Sequence, residues 1–473
     1  MISLFKYSKL ILIISLLGVA FFSLNFFRLS YDTRLIYDSK RIFVCGLLIV
    51  TSLLLIVLPT LRITLSNRLQ TIDPTVKSLF VIMLMSALIA NLTGLYFFRA
   101  QTDYFYFIGL LFLCVLLSIS ASNNRVRIYN YFIILSLFLF VSVMIGHWLN
   151  LYIGKEPTIH SVLSYVNPRM LNQVQIWLIV PVFYLAVIYK GNSRKNLFFL
   201  GVTSASFSVF FATDGRGVFI SAVTAIILFS VADKLLRKNV LIILAQSLIL
   251  GYVINILFLT KLPSYLMLGD LYHFDQSIRL SSSGRLTMWI DALKMSSFWG
   301  YGGDAFVCNA PDIADRPHNS IILTLFNWGV FASTSYLLLL LTALKAVFTT
   351  RYRSERVAII SVLAGFGYSL VSGVLDSPLS QLMAVISIAL YWSIWCRNNK
   401  SSSNTYQPKI HIATYFIIML SILVISLTAN RVIAKVSNGY SQQNTETRLK
   451  PQFWLGDSCS DEVPYLLIDR TAN

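Results

Sequence analysis

Apolar runs long enough to cross a bilayer, about 18 residues or more, recur along this chain with short polar breaks between them. They lie near 9–27, 42–59, 78–98, 104–121, 129–148, 175–189, 196–212, 217–232, 239–259, 320–346, 357–374, 379–395 and 410–429. Those near 175–189, 196–212 and 217–232 are short and extend into neighbouring residues. A membrane β-barrel would instead alternate in segments of ~10 residues. The pattern predicts an all-α polytopic membrane protein with about twelve to thirteen transmembrane helices. One large loop interrupts it and contains short interfacial helices. The expected division is a bundle of about nine spans over 1–259, the loop over 260–319, a bundle of about four spans over 320–429, and a tail over 430–473.

Composition agrees with this pattern. The chain is 56% hydrophobic and 12% charged, with mean hydropathy +0.71, which excludes an ordinary soluble domain. The run from Leu10 to Phe27 follows Lys6 and Lys9. It exceeds the ~7–15 residues of a signal-peptide core, so an uncleaved first span is expected. The net charge of +18 reads as positive-inside bias, and no basic soluble domain is present to bind nucleic acid.

With the N-terminus in the cytoplasm, the inner loops hold Arg62, Arg68, Lys77, Arg125, Arg127, Lys190, Arg194, Lys195 and further basic residues. That makes twenty cations against the three acids Asp73, Asp233 and Glu355. The short outer loop 28–41 breaks the rule with Arg28, Arg34, Lys40 and Arg41. The Ser/Asn-rich stretch at 398–406 reads as a plain inner linker. Of five cysteines, Cys45, Cys114 and Cys396 lie in or beside spans, and Cys308 and Cys459 lie in polar segments. No CxxC or Cys/His ligand spacing appears, so neither a metal nor another cofactor is expected.

Polar chemistry concentrates on the outer face. In "SSSGRLTMWIDALKM" an apolar stripe of Leu286, Trp289 or Ile290, and Leu293 suits an amphipathic interfacial helix. Ser281 to Ser283 are candidates to cap it. Gly284-Arg285 opens it, placing a cation where the helix dipole disfavours one. An anionic partner for Arg285 and simple snorkelling to headgroups both remain open. "GYGG" follows at 300–303, with Gly300 and Gly302 suited to a tight turn.

"RPHNS" then leads into the span at 320. Pro317 suits a helix entry, and Asn319 or Ser320 a cap. His318 would sit at a positive helix end beside Arg316, and both effects favour neutral imidazole. That suits a general base, although a headgroup-level anchor is the plain alternative. "TDGR" places Arg216 at the ends of two spans, either for a ligand or paired with Asp214. Arg169 precedes another span, as a ligand contact or an interfacial anchor. Clustered arginines suit a diphosphate, and a neutral His suits a hydroxyl awaiting deprotonation. No pair of carboxylates of glycosidase type stands out.

At this point the sequence resembles the O-antigen ligase family of bacterial surface-polysaccharide ligases and polymerases. The residues are Gly284, Arg285, Trp289, Gly300, Gly302, His318, Asn319 and Gly329, with "DGRGVF" as an earlier Arg-Gly turn. The specific match covers about 215–335.

The resemblance implies a metal-independent membrane glycosyltransferase of the bacterial inner membrane, active on the periplasmic face. Its donor would be a glycan on undecaprenyl diphosphate, and its acceptor a lipid A-core sugar. Arg216 and Arg285 would bind the diphosphate, with Arg169 as a further candidate, and His318 would activate the acceptor. A polymerase acting on a second lipid-linked glycan is the alternative. A protein oligosaccharyltransferase and a lipid-linked oligosaccharide transporter are more distant ones. Gly215 stands where the family usually has Ser. The last span and the tail extend beyond the usual layout, which would put Cys459 in the same oxidising compartment as Cys308 and allow them to pair.

Overall fold

The computed structural model describes residues 2–24, 33–121, 123–269, 284–306, 316–398, 410–437 and 453–454. Among these, 83% are helical and none is strand. The helices are α1 (Ile2–Leu24), α2 (Thr33–Val57), α3 (Pro59–Gln70), α4 (Pro74–Thr93), α5 (Phe97–Ala121), α6 (Arg125–Tyr152), α7 (Pro168–Ile188), α8 (Ser193–Ala212), α9 (Arg216–Ala232), α10 (Arg237–Ile254), α11 (Lys261–Leu268), α12 (Arg285–Met295), α13 (Ser320–Thr349), α14 (Arg353–Ser369), α15 (Pro378–Asn398) and α16 (Ile410–Ser437). Among the described residues, eleven candidate spans are long and apolar enough to cross a membrane. The chain is therefore an all-α, multi-pass membrane protein. Helices stand at all thirteen expected positions, but α9 and α14 have only 17 residues each.

The chain forms two compact units whose segments alternate in sequence. Unit one comprises 1–36, 117–279 and 343–402, and unit two comprises 37–116, 280–342 and 403–473. Unit one is built around α7, which is buried along most of its length and packs against α6, α8, α9, α14 and α15. Polar side chains tie this core together. Trp177 Nε1 donates to Ser380 Oγ at 3.0 Å, Ser380 donates to the carbonyl of Gln173, and Ser361 donates to the carbonyl of Trp177. In a bilayer such bonds provide specificity that apolar contact alone lacks.

Several expected boundaries are corrected. The segment near 60–77, expected as an inner loop, is largely helical, because α3 fills most of it. Arg62 donates to the carbonyls of Leu55 and Ile56, so it caps the end of α2. The outer loop expected at 149–174 shrinks to 153–167 as α6 and α7 extend into it. The large loop begins later than 260, because a π-turn at Asn255–Leu259 carries α10 on into α11.

The largest correction falls on the span expected at 320–346. α13 is broken at Gly329, where φ is 80° and ψ −177°. Ser333 Oγ donates to the carbonyl of Ile321 at 3.2 Å, and the hydroxyls of Ser320 and Tyr336 lie 3.0 Å apart. Twelve residues of straight helix would separate Ile321 from Ser333 by about 18 Å. The segment is therefore a helical hairpin, with a short arm at 320–328 folded back on a long arm at 330–349. Its length and composition suggest one straight span, but the cross-arm hydrogen bonds decide the geometry. The long arm alone, at about 30 Å, still matches a bilayer core.

The hairpin predicts proximity that a straight span forbids. In a cysteine-free background, Ile321→Cys combined with Ser333→Cys should crosslink within one chain with a short bifunctional thiol reagent. Absence of the crosslink, with both positions labelled singly, would show a straight helix instead.

Candidate functional site

In unit two, the loop motifs are built onto the bend of the hairpin. Breaking a helix leaves amides and carbonyls without partners, and the GYGG segment supplies several of them. Tyr301 N donates to Phe326 O at 3.1 Å, Gly302 N to Asn327 O at 2.8 Å, and Val330 N to Phe298 O at 2.9 Å. Asn327 Oδ1 also accepts from Phe306 N. The approach needs glycine on both sides. A methyl group on Gly300 would lie 2.5 Å from Asn327 O, and one on Gly329 would lie 2.5 Å from Phe298 O. Both residues have φ of 80°. Gly302, at φ 90°, stands beside Gly94 at the end of α4. Asn91, also on α4, accepts from Gly303 N at 2.8 Å and donates to Ala100 O.

α12 lies on the same assembly. Met288 and Ala292 join Tyr96, Ala305, Phe306, Ile322 and Phe326 in a small core, with Trp289 and Met295 packed against it. The packing stripe is thus Met288–Ala292–Met295. Of the interfacial stripe read from the sequence, Leu286, Ile290 and Leu293 are exposed, while Trp289 packs toward the protein. Both stripes follow i, i+4, i+7 spacing, so α12 has one apolar face for the protein and another suited to lipid. Gly284, at φ 74°, occupies the N-cap without a side-chain bond, and Arg285 is half-buried in the first turn. The serine cap expected at 281–283 lies outside the described residues.

The RPHN segment closes the arrangement. Trp289 Nε1 donates to Pro317 O at 2.5 Å, which fixes α12 to the residue before His318. Asn319 Oδ1 accepts from Ile321 N at 3.0 Å and Ile322 N at 3.2 Å, so Asn319 caps the short arm. Ser320 turns its hydroxyl to Tyr336 instead. Arg316 is buried and His318 half-buried. His318 has φ of 50°. A non-glycine residue held there carries about 1–3 kcal/mol of strain, and such residues cluster at functional sites. Among the described residues, the other positive-φ non-glycine positions are Asp304, beside GYGG, and Asp214, in TDGR.

Unit one holds the other two candidate arginines. Arg216 opens α9 and makes a forked contact with Asp214, at 3.0 Å through Nε and 3.2 Å through Nη2. Both side chains are 43% exposed. The pairing with Asp214 that the sequence left open is therefore formed. Arg169 is exposed in the first turn of α7, whose cap is Asn167. Nearby Asn172 and Thr213 exchange hydrogen bonds. The structure therefore joins Trp289, Gly300, Gly302, His318 and Asn319 in one assembly within unit two, and places Arg169 and Arg216 in unit one.

Sequence reasoning missed a set of buried charges in unit two. Asp304 faces Arg99 at 3.8 Å, and its carboxyl is hydrogen-bonded to that of Asp103. Lys40 and Arg41 were expected in an outer loop, yet both are buried in α2. Their violation of the positive-inside rule was the available signal. No group of three or more His, Cys, Asp or Glu able to hold a metal occurs among the described residues. Cys308 and Cys459, expected to pair, lie outside them. Comparison with family models, curated proteins and solved structures finds no match.

Trp289→Phe keeps the ring and removes the donor to Pro317. It should cost about 1 kcal/mol, seen as a lower unfolding temperature in detergent. Leu286→Ala, on the exposed stripe, should leave that temperature nearly unchanged. Equal shifts in both would show that the indole bond does not fix the RPHN segment.

Proposed function

We propose that the chain is a membrane glycosyltransferase. It moves a glycan from undecaprenyl diphosphate to a sugar hydroxyl, as an O-antigen ligase acting on lipid A-core at the periplasmic face of the inner membrane. The observation that carries the reading is His318. It is held in a left-handed backbone at the capped start of a folded-back arm, and Trp289 of the Gly-Arg helix bonds the residue before it. The family-like residues of the loop and hairpin are thus spatial neighbours in unit two, although 45 positions separate Gly284 from Gly329, while DGRGVF lies in unit one.

In the proposed reaction His318 takes the proton of the acceptor hydroxyl. The acceptor oxygen then bonds to the anomeric carbon. The bond from that carbon to the diphosphate oxygen breaks, and the lipid diphosphate leaves with the electron pair. A guanidinium near that oxygen stabilises the charge that develops, and Arg285 is the unit-two candidate. In unit one, Arg216 is a separate diphosphate candidate, which the anion would take from Asp214. Exposed pairs of this kind are worth about 0–1 kcal/mol, so a more highly charged anion competes well. Ser320 lies level with Tyr336, about 9 Å along the long arm from the bend, which supports a reactant delivered by a lipid.

His318→Ala should lower transfer by about 10²–10⁴ while protein level and topology stay unchanged. The readout is a lipopolysaccharide gel from a deletion strain carrying the variant. Full activity would remove His318 as the base. In the deletion strain itself, capless core with accumulated lipid-linked polymer indicates a ligase, and core bearing one repeat unit indicates a polymerase. Labelling a cysteine at 318 only from the cytoplasm would invert the orientation.

A further inference from the structure

One end of unit two gathers buried and half-buried charge from three helices. α2 brings Tyr37, Asp38 and Arg41 in its first turns, α5 brings Arg99, Asp103 and Tyr106, and α16 brings Arg431 and Lys435 in its last turns. Asp38 is wholly buried and lies 3.6 Å from Lys435. Arg41, 2% exposed, donates to the hydroxyls of Tyr37 and Tyr106, each at 3.0 Å. Its Nε donates to the backbone carbonyl of Phe453 at 3.1 Å. The Phe453 ring lies 5.0 Å from the Arg41 guanidinium carbon and 5.9 Å from that of Arg431. Phe453 and Trp454 are both buried.

Ionisable groups in a membrane span are expensive and are kept mainly where they meet one another or a ligand. Here each acid lies among cations. Asp38 meets Lys435, Asp304 meets Arg99, and Asp103 lies in the fields of Arg431 and Arg41. Among the described residues the cluster holds four cations, Arg41, Arg99, Arg431 and Lys435, and three acids. A peptide carbonyl and an aromatic face are weaker partners for guanidinium than an anionic oxygen. The position of Phe453 O on Arg41 is therefore one that a phosphate oxygen would fill more strongly. Two tyrosine hydroxyls already orient the fork.

We infer that Arg41 and Arg431 form a binding site for the phosphate of a membrane lipid, covered by Phe453–Trp454, whose carbonyl yields to the phosphate. The site is separate from His318 and Arg285. It joins their assembly through Asp103 and Asp304, the latter next to Gly303 in the segment bonded to the hairpin. Two sources share the ligand chemistry: an anionic phospholipid and an isoprenoid diphosphate. The inference rests on the transferase reading only in treating the second as a substrate.

The test is native mass spectrometry of the full-length protein from neutral detergent. The probes are phosphatidylglycerol, phosphatidylcholine and farnesyl diphosphate. Phosphatidylglycerol or farnesyl diphosphate should be retained over phosphatidylcholine, and Arg431→Gln should weaken that retention about tenfold. Phe453→Ala removes the cover's ring but no cation and should strengthen it, which keeps the inference falsifiable if Arg431→Gln fails to fold. Stronger retention of farnesyl diphosphate would assign the site to the substrate class, and of phosphatidylglycerol to the surrounding membrane. Equal retention of all three lipids, or retention unchanged in both variants, overturns the inference. Binding is read by mass alone, so its failure is distinct from loss of transfer in His318→Ala.

Discussion

A backbone amide at membrane depth has to find its partner inside the protein, because lipid offers none. Unit two breaks a helix at Gly329, and its architecture follows from repairing that break. Phe326 O, Asn327 O and Val330 N bond to the segment 298–302. That segment must therefore come close, and Gly300 and Gly329 permit the approach. Once GYGG is seated, α12 is held above the short arm, and its indole reaches Pro317. The candidate base and the Gly-Arg helix are neighbours because a helix end needed hydrogen bonds.

The three left-handed non-glycine residues belong to the same logic. Asp214, Asp304 and His318 stand where a chain leaves or enters a helix within a tight turn. Each gives up backbone comfort, and the surrounding contacts hold it there. At His318 the restraints are the Trp289 bond on one side and the Asn319 cap on the other. A merely interfacial anchor would not need such a backbone, since snorkelling side chains reach headgroups from ordinary helix ends.

The helices were legible because hydropathy over a long window is a direct reading of bilayer thickness. The hairpin was not, because 320–349 is apolar on both sides of the bend, and one glycine is a weak sign against so long a run. For α12 the helix and its interfacial stripe of leucine and isoleucine were legible, but the second face was not, because small Ala292 and flexible Met288 and Met295 are weak signals of close packing. His318, Asn319, Trp289 and the glycines could be found by motif spacing. Arg99 and Asp103 stand one turn apart on α5, but three-dimensional closure alone brings Asp304 to them. Lys40 and Arg41 were visible as an anomaly but read as a loop, since burial of a charge cannot be seen in a linear sequence.

The folded-back arm also bears on how crossings are counted. The chain turns back within 320–349, yet only its long arm is long enough to cross a bilayer core. Reporter fusions before and after the segment would record a single crossing and pass over the bend. A topology map drawn that way would leave His318 on the rim of the membrane, at the mouth of an unbroken helix. The reversal at Gly329 instead sets the neighbouring Ser320 beside Tyr336, about 9 Å along the long arm.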